Sequence, residues 1–195
     1  MEIALDSLKR FFLSFHRIAQ EQSDLTHAAV LIPFFEKYGE LHLVLTKRSM
    51  DVEHHKGQIS FPGGVRDKED VSFIDTALRE SEEEIGLSRG YVEVLGIYND
   101  FITPSGFCIT PVIAFLPSAV KFSLNPTEVA EVIEVPLRFF LTPGNEQTEF
   151  HFFNGIQRPV YYYFYGEYEI WGATAAMLRS FLMDLSQHLG RKKAL

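Results

Sequence analysis

Between Arg79 and Leu87 the chain reads Arg-Glu-Ser-Glu-Glu-Glu-Ile-Gly-Leu, and Phe61-Pro62-Gly63-Gly64 lies a short way upstream. On a helix, Glu80, Glu83 and Glu84 stand at i, i+3 and i+4, so these carboxylates share one face. Like charges at that spacing destabilise a helix by about a few tenths of a kcal/mol per pair, a cost that a cation held among them would offset. Hard oxygen donors select Mg²⁺ or Mn²⁺ rather than zinc. Arg79, beside Glu80, can fix a carboxylate rotamer through a bidentate contact. Gly63-Gly64 lets the backbone bend tightly and bring a carbonyl or amide against a metal or a phosphate. Glutamates on one helix face are most often a solvated surface, and a Gly-Gly pair is most often a turn. The conjunction of the glycine loop with Arg-Glu and Glu-Glu-x-Gly is what points to chemistry.

Several elements must position these residues. Leu5, Leu8, Phe11, Phe12, Phe15 and Ile18 have helical spacing and predict an amphipathic N-terminal helix, an extension covering residues 1–22. Ala28–Phe35 and Leu41–Thr46 read as strands joined by a turn at Tyr38-Gly39. Gly57–Gly64 reads as a short strand entering the glycine loop, and Asp70–Ile85 as a helix closed by Gly86. Strands are expected over Tyr91–Tyr98 and Phe107–Leu116, with a turn and a short element over Pro126–Val135. Asn154-Gly155 predicts a hairpin turn between Phe150–Phe153 and Val160–Tyr165. A last helix over residues 172–190 carries Leu178, Phe181, Leu182, Leu185 and Leu189 and stops at Gly190. Interleaved strands and helices without repeats or linkers predict one α/β domain over residues 1–195, with helices covering a mixed sheet.

Composition narrows the partners. With 195 residues, 46% hydrophobic and 23% charged, the chain can bury a sizeable core. Its net charge of −8 argues against nucleic acid or an anionic membrane as partner, since both would be repelled. Five of those eight net negative charges fall between Gly64 and Leu87, which holds eight acids and three bases. The acidity therefore marks where a cation would recruit a small anion. One cysteine, Cys108, permits no internal disulfide and reads as a small core residue. No apolar run is long enough for a membrane span, and the N-terminal residues do not read as a signal peptide, so a cytoplasmic location is expected. Ten of the 27 aromatic residues lie between Phe150 and Trp171, which predicts core packing or a subunit interface, hence a homodimer.

Gly64–Leu87 resembles the Nudix box: a glycine, a spaced acid, then Arg-Glu-x-x-Glu-Glu-x-Gly and an apolar residue. Arg79, Glu80, Glu83, Glu84, Gly86 and Leu87 all match. Ser81 stands where an apolar residue is usual, and the Gly64–Arg79 spacing is one residue longer, with Asp70 near the place of the earlier acid. The longer spacing is similar to the coenzyme A pyrophosphatase branch of the family. So are Leu45–Ser49 with Gly57–Gly64, Thr103–Phe107 with Thr110–Val112, Asn125–Val129 and Ile170–Ala175, a likeness spanning about residues 43–182. Glu53 stands where that branch usually has a base; His54, His55 and Lys56 lie close by.

The resemblance implies a Nudix-type α/β/α sandwich, with a mixed sheet and a loop–helix catalytic motif. It also implies hydrolysis of the pyrophosphate of coenzyme A or its derivatives, to 3′,5′-ADP and 4′-phosphopantetheine, with Mg²⁺ or Mn²⁺. By resemblance Glu80 and Glu84 are metal ligands, Glu83 is a ligand or proton acceptor, and the Gly64 carbonyl completes the set. The general base stays open among Glu83, Glu128 and Glu131, with Arg79 supporting the site. Arg48, Lys47, Lys56 and Gly63 are the candidates for holding phosphates of a small nucleotide substrate. Glu53 keeps a second substrate class in view, ADP-ribose or another nucleoside diphosphate derivative. A non-catalytic nucleotide-binding module is the third reading, against which the complete set of box carboxylates argues.

Overall fold

A computed structural model describes residues 3–20, 24–117, 120–153 and 155–191. In chain order the elements are α1 (Leu5–Phe12), β1 (Thr26–Lys37), β2 (Glu40–Arg48), β3 (Ile59–Ser60), β4 (Gly63–Val65) and α2 (Phe73–Ile85). There follow β5 (Glu93–Ile97), β6 (Phe101–Ile102), β7 (Phe107–Leu116), β8 (Val129–Pro136), α3 (Leu137–Leu141), β9 (Glu146–Phe153), β10 (Ile156–Tyr165), β11 (Tyr168–Trp171) and α4 (Gly172–Arg191). A 3₁₀ turn at Arg89–Tyr91 precedes β5.

β1 runs through the middle of the main sheet, whose order is β3-β2-β1-β7-β5. It pairs antiparallel with β2 and β4 and parallel with β7, so the sheet is mixed. Alternation along β1 sends Ala29, Leu31 and Phe35 to one face and Ile32 and Phe34 to the other. The first face packs against Ala77, Leu78 and Ile85 of α2. The second packs against Leu178, Phe181, Leu182 and Leu185 of α4 and Leu8 and Phe11 of α1. Two apolar layers on opposite faces of one sheet make the α/β/α sandwich expected from the sequence.

Pro33 lies inside this central strand, a position normally closed to proline because it donates no ladder hydrogen bond. The Leu31 N–H points to the β2/β4 side, where it donates to the Pro62 carbonyl, and by alternation Pro33 faces the same side. There β4 pairs with residues 28–30 and β2 with residues 34–37, so Pro33 sits at the fork between them and costs no ladder bond. That fork is where the Gly63-Gly64 loop enters the sheet.

Several boundaries differ from the sequence reading. The N-terminal helix ends at Phe12 instead of continuing through Ile18. Residues 15–20 form neither helix nor strand, and the buried Asp100 carboxylate holds them: it accepts from Arg17 Nη2 at 2.6 Å and from the Gln20 N–H at 2.8 Å. Phe15 still reaches the core, stacking on Tyr98 with 5.2 Å between ring centroids, while Ile18 is exposed. Helix α2 starts at Phe73, not Asp70, because the Ser72 hydroxyl caps it by accepting from the Asp75 N–H at 3.1 Å. The region after Pro126 forms an eight-residue strand, β8, and α3 follows it. Helix α4 runs one residue past Gly190. In the hairpin turn Asn154 lies outside the described residues, and Phe153 pairs with Ile156 across it.

Candidate active site

The site lies where α2, the Gly63-Gly64 loop and the loop before β8 meet. Helix α2 ends cleanly, with Gly86 left-handed and its N–H donating to the Glu82 carbonyl, followed by Leu87 N–H to Ser81 O. One apolar stripe of α2 is buried on the sheet, and this leaves Arg79, Glu80 and Glu83 facing outward along the loop. Ser81, at a normally apolar place, is fully buried and satisfied, its hydroxyl donating to the Ala77 carbonyl at 2.6 Å.

Arg79 is the hub. Its guanidinium donates through Nε and Nη2 to both oxygens of Asp70, each at 3.0 Å, and through Nη2 to the Val65 carbonyl at 3.1 Å. Nη1 reaches Glu80 at 2.9 Å and Glu83 at 3.0 Å. The guanidinium holds the Asp70 carboxyl well below the usual carboxylate range, aided by the Asp67 N–H. Asp70, which the sequence marked only as a displaced acid, is therefore the anchor of Arg79 rather than a member of α2.

The carboxylates differ in environment. Glu84 is buried, and burial pushes its carboxyl up to about 7, with Glu80 and Glu128 adding repulsion. The Gly63 N–H, donating to Glu84 Oε2 at 3.2 Å, and Arg48, 3.8 Å from Oε1, oppose that shift. Burial also raises Glu80, against the pull of Arg79. Glu83 is half exposed. Glu128 faces Glu80 and Glu84 closely enough to raise both. Its loop is tied to the end of α2 by Asn125 N–H to Glu84 O, and the Asn125 side chain donates to Glu128 Oε1 at 2.9 Å. The sequence reading includes Asn125 only in the segment Asn125–Val129 and assigns it no role.

Both glycines of the loop answer to close approach. A Cβ on Gly64 would lie 2.4 Å from the Glu80 carboxylate, and one on Gly63 would lie 2.3 Å from the Ala29 carbonyl. Of the phosphate candidates, Arg48 points into the cluster. A register shift between Lys47 and Arg48 turns it there, and its Nε is buried without a hydrogen-bond partner among the described residues. Lys47 instead lies over the Tyr168 ring, 5.8 Å from its centroid, and Lys56 is exposed on the loop between β2 and β3. Glu131 is on β8, opposite Lys47, and accepts a 2.5 Å hydrogen bond from the Tyr168 hydroxyl. The fold thus gathers Gly63, Gly64, Arg79, Glu80, Glu83, Glu84, Glu128 and Arg48, and sets Glu131, Lys47 and Lys56 apart.

Among the described residues no three carboxylate or imidazole groups are already drawn around one point. The donor set nevertheless has the chemistry for a divalent cation: all-oxygen ligands, a buried carboxylate short of countercharge, and a glycine whose missing Cβ keeps its backbone against Glu80.

The chain matches a family profile described as NUDIX domain over residues 25–162. It is 39% identical over 178 residues to the uncharacterized Nudix hydrolase NudL of Photorhabdus laumondii, covering 89% of this chain and 92% of that protein. Against NudL of Escherichia coli O7:K1 the identity is 35% over 180 residues, covering 92% and 93%. Among solved structures, an Ap4A hydrolase from C. elegans superposes with a TM-score of 0.54 at 13% identity, covering 85% of this chain and 98% of that one. A MutT/nudix family protein from Enterococcus faecalis gives 0.52 at 14% identity, covering 95% and 76%. These structural likenesses are of fold.

Proposed function

Since the chain belongs to the Nudix hydrolase family, we propose that it hydrolyses the pyrophosphate bond of coenzyme A or its derivatives, giving 3′,5′-ADP and 4′-phosphopantetheine. The observation that carries the hydrolytic part is the helix face of Glu80 and Glu84 closed against Gly63-Gly64, with Arg79 locking the arrangement. The coenzyme A part rests on the likeness of residues 43–182 to that branch and on Arg48 aimed at the same cluster.

Glu80, Glu84 and the Gly64 carbonyl are the residues that would hold Mg²⁺ or Mn²⁺, with Glu83 as a further donor. The bound cation supplies charge neutralisation for the diphosphate and lowers the pKa of a water. Around it, Arg79 fixes the rotamers of Glu80 and Glu83 so that little reorganisation is needed. Arg48, with its Nε unpaired, is the group placed to hold a phosphoryl oxygen. Glu128 is the base we favour over Glu131, because it adjoins Glu80 and Glu84 and Asn125 orients it, while Glu131 is engaged by Tyr168. Glu83, half exposed beside Arg79, is the remaining candidate for that role. We further propose a cytoplasmic location, from the single cysteine, and a homodimer, from the aromatic residues concentrated over 150–171.

ADP-ribose is the rival substrate, favoured by Glu53, which stands exposed beside His54 where a base is usual. A panel of coenzyme A, acetyl-coenzyme A, ADP-ribose and a dinucleotide, with products identified by mass spectrometry, separates the two. Coenzyme A or its thioester is expected to give the highest kcat/KM, with 3′,5′-ADP among the products. Preference for ADP-ribose would overturn the assignment.

A further inference from the structure

The three-stranded sheet β11-β10-β9 leaves β9 at its edge. One side of β9 pairs with β10 along its whole length, Glu146 opposite Tyr163 through Phe153 opposite Ile156, without a register shift. No described strand pairs its other side. An uncovered edge of this length is a template for another strand, and monomeric proteins blunt such edges with Lys, Pro, a bulge or a covering element. Edge β5 of the main sheet shows those devices: it is bulged near Gly96 and covered by Phe12 of α1. Strand β9, Glu-Gln-Thr-Glu-Phe-His-Phe-Phe, has none of them.

Its two acids do not act as guards. Glu146 is taken up by the Tyr163 hydroxyl at 3.0 Å and by Arg179 at 2.9 Å, and Glu149 lies 3.0 Å from His151 on the same strand. The apolar side chains at this end are instead exposed: Phe150 is 62% exposed, Phe152 72% and Ile156 57%.

We infer that β9 pairs antiparallel with β9 of a second copy of this chain, joining the two small sheets into one of six strands across a twofold axis. Continuity of the two faces requires that opposed residues share parity. Centring on Glu149 would oppose two like charges, which is destabilising. Centring on Phe150 opposes Phe150 to its own copy and sets Glu149 opposite His151 of the other strand, twice by symmetry. Thr148 then faces Phe152. The edge is self-complementary in hydrogen-bonding side chains and apolar surface in that register, which is what an isologous interface needs. The outer face, where Tyr162 stacks on Trp171 and Phe164 at 5.9 and 6.3 Å, would continue across the axis.

The test is the solution mass of the full chain and of two variants, by sedimentation or light scattering at micromolar concentrations. The wild type is expected at twice 22.3 kDa. Phe150→Lys combined with Phe152→Lys is expected to shift it to the monomer, with unchanged circular dichroism and a melting temperature that no longer depends on protein concentration. Phe150→Cys is expected to form an intermolecular disulfide on mild oxidation, since the two thiols would face each other across the axis; Cys108 is buried and provides the background control. A monomeric wild type, a folded double-lysine variant that stays dimeric, or a Phe150→Cys dimer that fails to cross-link would overturn the proposal.

Discussion

Arg79 shows how one side chain converts a repulsive helix face into a usable one. It spends its donors on Asp70, Val65 O, Glu80 and Glu83, so two carboxylates of α2 are neutralised while Glu84 stays buried against Gly63. The box residues were legible because their spacing is local. Asp70 as the anchor was less so, since its role depends on a loop folding back nine residues onto the helix. Glu128 and Glu131 could not be separated by sequence at all, because the choice turns on partners far along the chain, Tyr168 among them. Two substitutions test this scale. Gly64→Ala places a methyl 2.4 Å from the Glu80 carboxylate and should abolish turnover with little change in far-ultraviolet circular dichroism. Glu84→Gln should lower kcat by roughly 10²–10³-fold, the range for losing one preorganised electrostatic group. Near-normal kcat in either folded variant would contradict the site.

Elements depart from sequence expectation where a tertiary contact outbids periodicity. The spacing of Phe15 and Ile18 is helical, yet Asp100 holds residues 17–20 out of a helix and also accepts from the Thr110 hydroxyl at 2.7 Å. That strap links the N-terminus to β7 near the loop before β6. The acid of its key ion pair is nearly dry, the Asp100 side chain being 2% exposed, while Arg17 is partly exposed. Removing one partner of such a pair typically costs about 3–5 kcal/mol. Asp100→Ala should therefore lose about that much by urea denaturation while KM in the folded enzyme stays within twofold. A loss below about 1 kcal/mol would show that the strap is held otherwise. The short pieces β6, α3 and β11 escaped sequence reading for a different reason: with two, five and four residues they carry too little periodicity to register.

At the scale of the molecule, the strands and helices around the box follow local pattern, so helices covering a mixed sheet were foreseeable, and the resemblance at the box added the α/β/α sandwich. The family match ends at residue 162, so β11 and α4 lie beyond it, although α4 supplies much of one core layer. The arrangement of β9–β11 beside β2 and β3 was not readable, since nothing local states that Tyr168 meets Lys47 and Glu131. The net charge of −8 also acquires a physical sense: most of it sits in one loop and helix, where it requires countercharge before a diphosphate can approach. That requirement is the centre of the account, and turnover of coenzyme A by the wild-type chain as free divalent cation is titrated tests it most directly. Activity should vanish in excess chelator and return on adding Mg²⁺ or Mn²⁺; hydrolysis that persists in excess chelator would contradict it.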